Sequence, residues 1–411
     1  MSLPVREFRA REFRSLEAIA YPVSNLDVFV GGNGVGKTNL YRALELLQSA
    51  AANTLARDLA REGGLESVLW AGPRRRTEPA RIHLSVGLGA ETGKRGSEAL
   101  YRYEVEVGFP PREASAAFQA EPQIKAEAIS YVGGGRTSRL VDRRGPGVMA
   151  RAENGRPAQI DIDLLDSETV LGRLEDPSRY PKLDALRRTL LQWRFYHGLR
   201  TDAASPLRHP CAAVATPTLA SDGSDLAAVF ATLAHIRQDT ADLRLAIDQA
   251  FPGAKLVIPQ PERTASFGMS FPEFPGRVFS AQELSDGTLR FLALAGALLA
   301  YRLPPFVALN EPETSLHPDL MEPLAGLIVA AAERTQLWLV THSTRLADAI
   351  VAMGAGQIRR VIKRDGATQI EGLKAWGLSR KRLPRSRAPR TRRYSRAASS
   401  IADSRRHPGE C

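Results

Sequence analysis

The chain has 411 residues, enough for one large or two modest domains with a sizeable core. Its 43% apolar and 25% charged residues are ordinary for a globular protein and exclude wholesale disorder and collagen-like repeats. The two cysteines, Cys211 and Cys411, are too few for a disulfide framework or a four-thiolate zinc site. The sequence contains no run of 18 apolar residues, and residues 1–13 contain no apolar signal core. We therefore expect a soluble cytoplasmic protein that does not enter the membrane.

The net charge of +11 is concentrated near the C-terminus. Residues 380–411 carry 11 Lys+Arg and two acids, a net charge of +9, which leaves the rest of the chain near neutrality at +2. A segment so rich in Arg, Ser and Pro cannot bury enough apolar surface to fold alone, so we expect a disordered basic tail over residues 376–411. Two interpretations stay open: a tether for nucleic acid or acidic lipid, or a decayed terminus with no role.

The first two regions of the chain differ in pattern. Residues 1–75 begin with an alternating segment at 5–13, an apolar strand at 26–30 and a helical pattern from Thr38. Residues 76–200 are strand-like and broken by Gly and Pro, and they end in a helical stretch at about 181–195. The strands predicted in this second region are residues 82–86, 101–107 and 128–132.

The third region, residues 201–375, returns to alternating helices and strands. Its predicted helices are residues 223–250, 285–302, 318–333 and 344–352, and its predicted strands are residues 305–309 and 336–340. Strands that alternate with helices favour a parallel sheet with helices on both faces.

Residues 31–38 read GGNGVGKT and fit G-x-x-x-x-G-K-[ST] at every fixed position, between an apolar strand and a helical pattern. The glycines let backbone N–H groups point at phosphate oxygens, backed by the helix N-terminus. Lys37 supplies a charge for the β- and γ-phosphates, and the Thr38 hydroxyl is a ligand for Mg²⁺. We predict a nucleoside triphosphate site here rather than a flexible glycine turn. Its residues are Gly31, Gly32, Asn33, Gly34, Val35, Gly36, Lys37, Thr38 and Asn39.

A second element of this site follows the apolar residues 304–309. The strand ends in Asn310 and Glu311, at the place where ligands sit in open α/β sheets. Glu311 is the candidate that polarises the attacking water, and Asn310 stands where an Asp usually orients a Mg²⁺-bound water. The Asn310 amide accepts that hydrogen bond without a charge, so we expect a more weakly held metal. By itself this would be an ordinary acidic turn, but the phosphate loop favours the functional interpretation.

Two shorter motifs indicate the class of ATPase. LSDGT at residues 284–288 opens a helical run, with Ser285 as the predicted N-cap and free N–H groups behind it. In isolation LSDGT is more typical of a capping turn, but its position 26 residues before Asn310 favours a functional one. THS at residues 341–343 follows the predicted strand at residues 336–340. That strand is the next one along the chain after the strand that ends in Asn310 and Glu311, which we call the catalytic strand. A lone His there is usually structural, yet His342 is placed to contact a γ-phosphate.

Taken in order, GGNGVGKTN, LSDGT, NEPETSLHP and THS resemble the ABC-type ATPases of the SMC/RecF group, and FRSLEAI near the N-terminus is similar as well. The resemblance is strongest to compact RecF-like bacterial ATPases, sometimes grouped with AAA-type or abortive-infection ATPases, and covers roughly residues 3–375. It implies an α/β P-loop NTPase fold: an ABC/SMC-like head with a strand-rich inserted lobe and a helical subdomain. Residues 1–75 and 201–375 are then the two halves of the head, and residues 76–200 the lobe with a helical segment.

The resemblance further implies an ATP-dependent homodimer in which the phosphate loop of one subunit and the signature of the other enclose ATP and Mg²⁺. Ser285, Asp286 and Gly287 are the signature acting in trans, with Ser285 and Gly287 donating to the γ-phosphate. In the same way, Glu311 is implied to be the general base and His342 a γ-phosphate sensor.

Three residues depart from the pattern of the group. Asn310, which shares the metal with Thr38, replaces the usual Asp; Asp286 stands where many signatures have Gly and places a negative charge near phosphates; and Thr288 replaces Gln or Glu. These departures lead to the hypothesis of slow or partner-dependent hydrolysis. Residues 315–318, SLHP, are implied to link the two sites of the dimer.

The spacing between the motifs excludes several kinds of related ATPase. Thr38 and Leu284 are separated by 245 residues, too many for an ordinary transporter ATPase and too few for a long SMC coiled coil, and the interval lacks sustained heptads. The 69 residues after His342 are too few for an appended nuclease domain.

Residues 191–200, LQWRFYHGLR, are dense in aromatic and basic side chains. They are compatible with a nucleic-acid surface or a nucleotide-facing loop. We favour a helix C-terminus that packs Trp193 and Phe195 into the core and leaves Arg194 exposed. By analogy with the group, Arg14 is expected near the nucleotide.

Three functions follow from the sequence. The leading hypothesis is an ATP-driven dimerising switch that acts on DNA, in DNA repair, the double-strand break response or the DNA damage response. The near-neutral charge of the folded part does not by itself favour DNA. The alternative is a regulatory, phage-defence or toxin-type ATPase that controls a partner nuclease or another effector protein. A transporter ATPase subunit is disfavoured by the long interval.

Overall fold

The computed structural model describes residues 3–73, 79–90, 99–111, 118–133, 136–151, 157–160, 162–238 and 240–373, all within the compact unit Met1–Trp376. The basic segment at residues 380–411 lies outside the described residues, so its two interpretations stay predictions. Within the described ranges, no helix has both the length and the apolar character needed to cross a membrane.

The N-terminal segment supplies the first pair of strands and the strand and helix around the glycine motif. The alternating residues 5–13 form a strand that buries Phe8 and Ala10 on one face. The elements are β1 (Val5–Phe13), β2 (Leu16–Pro22), β3 (Leu26–Val30), α1 (Lys37–Ala51), α2 (Leu55–Arg61) and α3 (Gly64–Val68). The predicted strand at residues 26–30 is confirmed, and its burial is typical of a parallel strand covered on both faces.

The middle of the chain is mainly antiparallel. Its elements are β4 (Arg81–Ala90), β5 (Ala99–Gly108), β6 (Gln123–Gly133), β7 (Arg136–Arg144), β8 (Gly147–Arg151), β9 (Pro157–Gln159), α4 (Val170–Arg173) and α5 (Pro181–Leu191). The three strands predicted here lie within β4, β5 and β6 and are confirmed. Helix α5 starts with Pro181, whose missing N–H costs nothing in a first helical turn.

The last region alternates helices with strands, as predicted. Its elements are β10 (Arg194–Tyr196), β11 (Cys211–Ala212), α6 (Leu226–Ala231), α7 (Ala241–Ala250), β12 (Lys255–Val257), β13 (Thr264–Ala265), β14 (Gly268–Ser270), β15 (Phe279–Ser280), α8 (Asp286–Leu299), β16 (Phe306–Asn310), α9 (Met321–Ala332), β17 (Gln336–Thr341), α10 (Thr344–Ala352), β18 (Gln357–Arg364) and β19 (Ala367–Ile370). Short 3₁₀ helices cover Pro206–Arg208 and Pro318–Leu320, and a π-helical turn covers Thr232–Arg237.

Two predicted helices were wrong in extent. The stretch at residues 181–195 leaves the helical conformation after Leu191 because the following residues form β10, which pairs with β16. The stretch at residues 223–250 is interrupted by the π-helical turn and by Gln238, which has a positive φ of 54°. The helical periodicity of both segments was genuine, but sheet pairing and a left-handed residue ended it.

Six strands form the sheet that carries the glycine motif, in the order β10-β16-β17-β3-β18-β19. All neighbours are parallel except β18 and β19. The register pairs Asn310 with Val340 and Thr341 with Val30, so the carboxyl ends of β16, β17 and β3 share one edge. Strand β17 thus separates the strand of the phosphate loop from the predicted catalytic strand.

Alternate residues of this parallel sheet enter two different cores. Phe29, Ala308 and Trp338 belong to a core shared with α1 and the antiparallel strands, whereas Val28 and Leu309 face the core of α6–α10. The sheet is therefore covered by helices on both faces, which confirms the predicted α/β fold class.

Eight strands form a second, antiparallel sheet in the order β2-β1-β4-β5-β6-β7-β8-β9. Strand β1 pairs with both β2 and β4, so the strand-rich lobe predicted at residues 76–200 continues a sheet that the N-terminal segment begins. The proposed division of the head at residues 75 and 200 stays a prediction.

Candidate nucleotide-binding site

The phosphate loop, residues 31–38, connects β3 to α1. The Nζ of Lys37 donates hydrogen bonds to the carbonyl oxygens of Gly31 (2.7 Å) and Gly32 (2.9 Å), and the side chain is almost fully buried. Helix α1 begins after Gly36 without a side-chain cap, so its first N–H groups remain available to an anion. The Thr38 side chain is exposed at the same helix end. The loop therefore has the form that the motif predicts.

Two electrostatic effects change the pKa of Lys37 in opposite directions. Burial lowers the pKa of its ammonium group, and the carboxylates of Glu311 and Glu313 partly offset that effect. The two acids follow β16, so the attraction links the phosphate loop to the predicted catalytic strand.

Two hydroxyl groups, those of Thr368 and Ser15, stabilise the phosphate loop and the first turn of α1. The Thr368 hydroxyl donates to the carbonyl oxygen of Val35 (2.8 Å), and its Oγ1 lies 2.6 Å from the Oγ of Ser15. The same Ser15 oxygen accepts a hydrogen bond from the Asn39 side chain at 2.7 Å. Gly36 has a φ of 95°, and a Cβ added there would collide with the hydroxyl oxygens of Thr368 and Ser15. A glycine is therefore required at this position.

We expect Gly36→Ala to weaken ATP binding by about tenfold or more. A left-handed backbone costs a non-glycine residue about 1–2 kcal/mol, and the added methyl group would also displace the two supporting hydroxyls. Calorimetric titration with the non-hydrolysable ATP analogue AMP-PNP measures the effect. Gly326→Ala is the control, since a Cβ there meets open space on α9 and affinity should not change. Wild-type affinity in Gly36→Ala would contradict this account of the loop.

The structure brings the predicted general base and the predicted sensor together. The backbone N–H of Glu311 donates to the carbonyl of Val340 (2.7 Å), which fixes the end of β16 beside the end of β17. The Nδ1 of His342 lies 3.9 Å from the Oε1 of Glu311, and both side chains are partly exposed. Glu311 has a positive φ of 48°, a strained conformation for this residue type that is often found at functional sites.

Glu313 is a second acid at this edge. Its carboxylate is almost fully buried and accepts hydrogen bonds from the Thr341 hydroxyl and from the backbone N–H groups of His342 and Ser343. The Nδ1 of His342 is 3.3 Å from the Oε1 of Glu313, closer than it is to Glu311. The position of His342 therefore depends on Glu313, which the sequence analysis left without a role.

The acceptors at this edge fit a hydrated Mg²⁺ ion. Among the described residues, Asn310 Oδ1 and Glu313 Oε2 are buried and have no hydrogen-bond donor. Buried acceptors are usually paired, and water molecules bound to a divalent cation would supply the missing donors. Thr38, the ligand predicted together with Asn310, presents an exposed side chain in the first turn of α1. The related ATPases usually have an Asp at the position of Asn310. In this chain that residue is a neutral amide, and the buried acid is Glu313, three residues further along the chain.

The signature residues form the N-terminus of α8. Ser285 is the N-cap, as predicted: its Oγ accepts from the N–H of Thr288 at 3.1 Å. The side chain of Asp286 is exposed and pairs with Arg208 at 2.6 Å. Arg208, itself largely buried, also donates to the carbonyl oxygen of Leu284 at 2.7 Å. The negative charge at Asp286, expected to oppose phosphate binding, is therefore paired within the chain.

The signature helix also contacts the catalytic strand of the same chain. Arg290 of α8 donates to the carbonyl oxygens of Leu199 (2.6 Å) and Glu311 (3.4 Å). A Cβ added at Gly287 would lie 3.1 Å from the carbonyl oxygen of Ser315, in the segment implied to link the two sites. The turn after β16 and the signature are thus packed against each other.

The remaining candidates from the sequence lie beside the site or in the core. Arg14 pairs with Glu62, and its Nη1 lies 3.5 Å from the Oδ1 of Asn39 in the first turn of α1, so it lies beside the phosphate loop. Trp193 and Phe195 are buried, as favoured. Arg194 is not exposed as expected: it is half-buried and donates to the carbonyl of Trp193 at 2.9 Å.

Sequence reasoning missed the side chains that support the site. Glu313 follows Glu311 closely and carried a usable signal, a second acid in NEPE. Arg208 and Thr368 carried none, because they lie 78 and 333 residues from the partners Asp286 and Val35 that they hold.

Comparisons with known proteins give a family match for part of the chain and a fold similarity. Residues 181–348 match the family described as "AAA domain, putative AbiEii toxin, Type IV TA system". The matched range contains the signature, the end of β16 and His342. No individually curated protein matches the chain. The family match covers less than half of the chain and, with the phosphate loop and the parallel sheet, supports the predicted resemblance at the level of a P-loop ATPase with an AAA-type domain.

Solved SMC head domains are similar to the chain at low sequence identity. The SMC head bound to the C-winged helix domain of ScpA is 17% identical, with 89% of this chain and 97% of that chain covered and a TM-score of 0.48. The SMC head from Thermotoga maritima is 14% identical, with coverages of 90% and 100% and a TM-score of 0.45. The SMC head from Pyrococcus furiosus, bound to the C-terminal domain of ScpA, is 14% identical, with coverages of 89% and 95% and a TM-score of 0.48.

Proposed function

We propose that the protein hydrolyses ATP and uses the cycle as a dimerising switch. The observation that carries the proposal is the meeting of Lys37, Glu311 and His342 at one edge of the parallel sheet. Lys37 and the α1 N-terminus hold the phosphates, Glu311 polarises the attacking water, and His342 contacts the γ-phosphate. Thr38 and Asn310 are the residues that would hold Mg²⁺, which would neutralise charge on the phosphates when bound.

The signature supports a homodimer as the active form. Ser285 and Asp286 are exposed at the N-terminus of α8, where N–H groups attract a phosphate. A second copy of the chain would place this turn against the nucleotide bound to the first copy. Gly287 lies close to the carbonyl oxygen of Ser315 in the same subunit. Nucleotide contact at the signature of one subunit can therefore affect the turn that follows its own catalytic strand.

The chemistry at Asn310 supports slow turnover. An amide orients a metal-bound water without adding charge, and Glu313, three residues further along the chain, has a buried oxygen with no hydrogen-bond donor among the described residues. Hydrolysis that is slow alone and faster with a partner fits a switch better than it fits continuous transport.

DNA is the first candidate for that partner, with a role in DNA repair or the DNA damage response. The support is the resemblance of the ordered motifs to the SMC/RecF group. A second candidate is an effector protein such as a nuclease, in a phage-defence or toxin system. Its support is the family match, whose description names a toxin of a type IV toxin–antitoxin system.

The test is ATP hydrolysis by the full-length chain with and without double-stranded DNA at moderate salt. We expect basal turnover that DNA stimulates, and Glu311→Gln provides the background rate. Turnover that is indifferent to DNA would favour the effector-controlled ATPase. An absence of both ATP binding and turnover would contradict the proposal itself.

A further inference from the structure

One oxygen of Glu313 holds the whole turn that carries His342. Its Oε1 accepts from the Thr341 hydroxyl (2.5 Å) and from the backbone N–H groups of His342 (3.0 Å) and Ser343 (3.2 Å). The His342 Nδ1 lies 3.3 Å from the same oxygen. The side chain is only 5% exposed, so solvent does not compete for these contacts.

The turn depends on a carboxylate. The amide oxygen of a glutamine has two lone pairs for these donors, and hydrogen bonds to an ionised acceptor are roughly twice as strong as those to a neutral one. The second oxygen of Glu313 is also buried and, within the described part of the chain, unpaired. The position of His342 therefore depends on the carboxylate of Glu313.

We infer that Glu313 is a positioning residue for hydrolysis, which fixes the His342 turn against the catalytic strand. The inference rests on the proposed ATPase function and assigns this chain a required acid beyond Glu311. Nucleotide binding depends mainly on the phosphate loop, so the loss of Glu313 should act on the hydrolytic step. Displacement of a reacting group by about 1 Å costs about 10²-fold in rate.

The test compares Glu313→Gln with a matched variant of the full-length chain. Glu127 in β6 is also buried, and its carboxylate accepts from a hydroxyl, that of Tyr103 (3.1 Å), and from two backbone N–H groups, those of Val170 (2.6 Å) and Leu171 (2.9 Å). Glu127→Gln makes the same chemical change in the antiparallel sheet. We measure the Kd for ATP, kcat and the Tm of both variants beside the wild type.

We expect Glu313→Gln to keep the Kd for ATP within about threefold and to lower kcat by about 10²-fold. Glu127→Gln should change the Tm without separating kcat from Kd. Glu313→Asp retains the charge with a shorter reach and should have intermediate turnover, about tenfold below wild type. If Glu313→Gln does not fold, the turnover of Glu313→Asp is compared with that of the wild type instead.

Three results would overturn the inference. The first is wild-type turnover in Glu313→Gln, or in Glu313→Asp where that variant carries the test. The second is an equal loss of turnover in Glu313→Gln and Glu127→Gln that follows their loss of stability, because that pattern marks a structural role. The third is a wild-type chain that does not hydrolyse ATP, which contradicts the proposed function together with the inference.

Discussion

Lys37→Ala should weaken ATP binding by about 10²-fold and remove hydrolysis. The ammonium donates hydrogen bonds to the carbonyl oxygens of Gly31 and Gly32. When ATP binds, the same charge is available to the β- and γ-phosphates, and a hydrogen bond to a charged group contributes about 1.5–3 kcal/mol. Equilibrium binding of a fluorescent ATP analogue, with and without Mg²⁺, measures the loss.

The fold should survive this substitution. Burial lowers the pKa of Lys37, which means that the folded protein bears a desolvation cost for the ammonium that alanine does not have. We therefore expect little change in Tm. Lys182→Ala is the control, because it removes an exposed ammonium that lies 5.8 Å from the ring of Tyr131 and leaves the phosphate loop unchanged. Near-normal ATP affinity in Lys37→Ala would refute the phosphate-binding role of residues 31–38.

Glu311→Gln should retain ATP binding, lower turnover by about 10²–10⁴-fold and accumulate an ATP-bound dimer. Glutamine matches glutamate in size and meets the same positive φ of 48°, so the change removes the base without adding backbone strain. The hydrogen bond from the backbone of residue 311 to the carbonyl of Val340 is also unaffected. Single-turnover hydrolysis and light scattering of the eluting species, with and without saturating ATP, measure the two effects.

Of these two measurements, the oligomeric state tests the dimer proposal more directly than the rate of hydrolysis does. Glu322→Gln, which neutralises an exposed acid at the start of α9, should behave as wild type in both. A monomeric Glu311→Gln protein under saturating ATP would count against the arrangement in which the signature acts in trans. Wild-type turnover in this variant would instead remove Glu311 from the mechanism and leave the phosphate loop in place.

Local sequence was sufficient for the parts of the site that are continuous along the chain. The residues of β3, the loop and α1 are consecutive, and their pattern predicted both the conformation and the anion-binding end of the helix. The same holds for the cap at Ser285, whose hydrogen bond to Thr288 spans three residues. The C-terminal end of α5 and the break before α7 were predicted wrongly, because the residues after Leu191 pair in the sheet as β10 and because Gln238 adopts a left-handed conformation.

The sequence by itself determined the phosphate loop, the strands on either side of it and the order of the motifs, since each depends on neighbouring residues. Only the tertiary structure decided that β17 lies between β3 and β16, and that Glu313 rather than Asn310 supplies the buried charge beside His342. It also decided that Arg208 pairs with Asp286 and that Thr368 supports the loop. These contacts join residues distant along the chain, and strand order, which brings them together, leaves no periodic signal in the sequence.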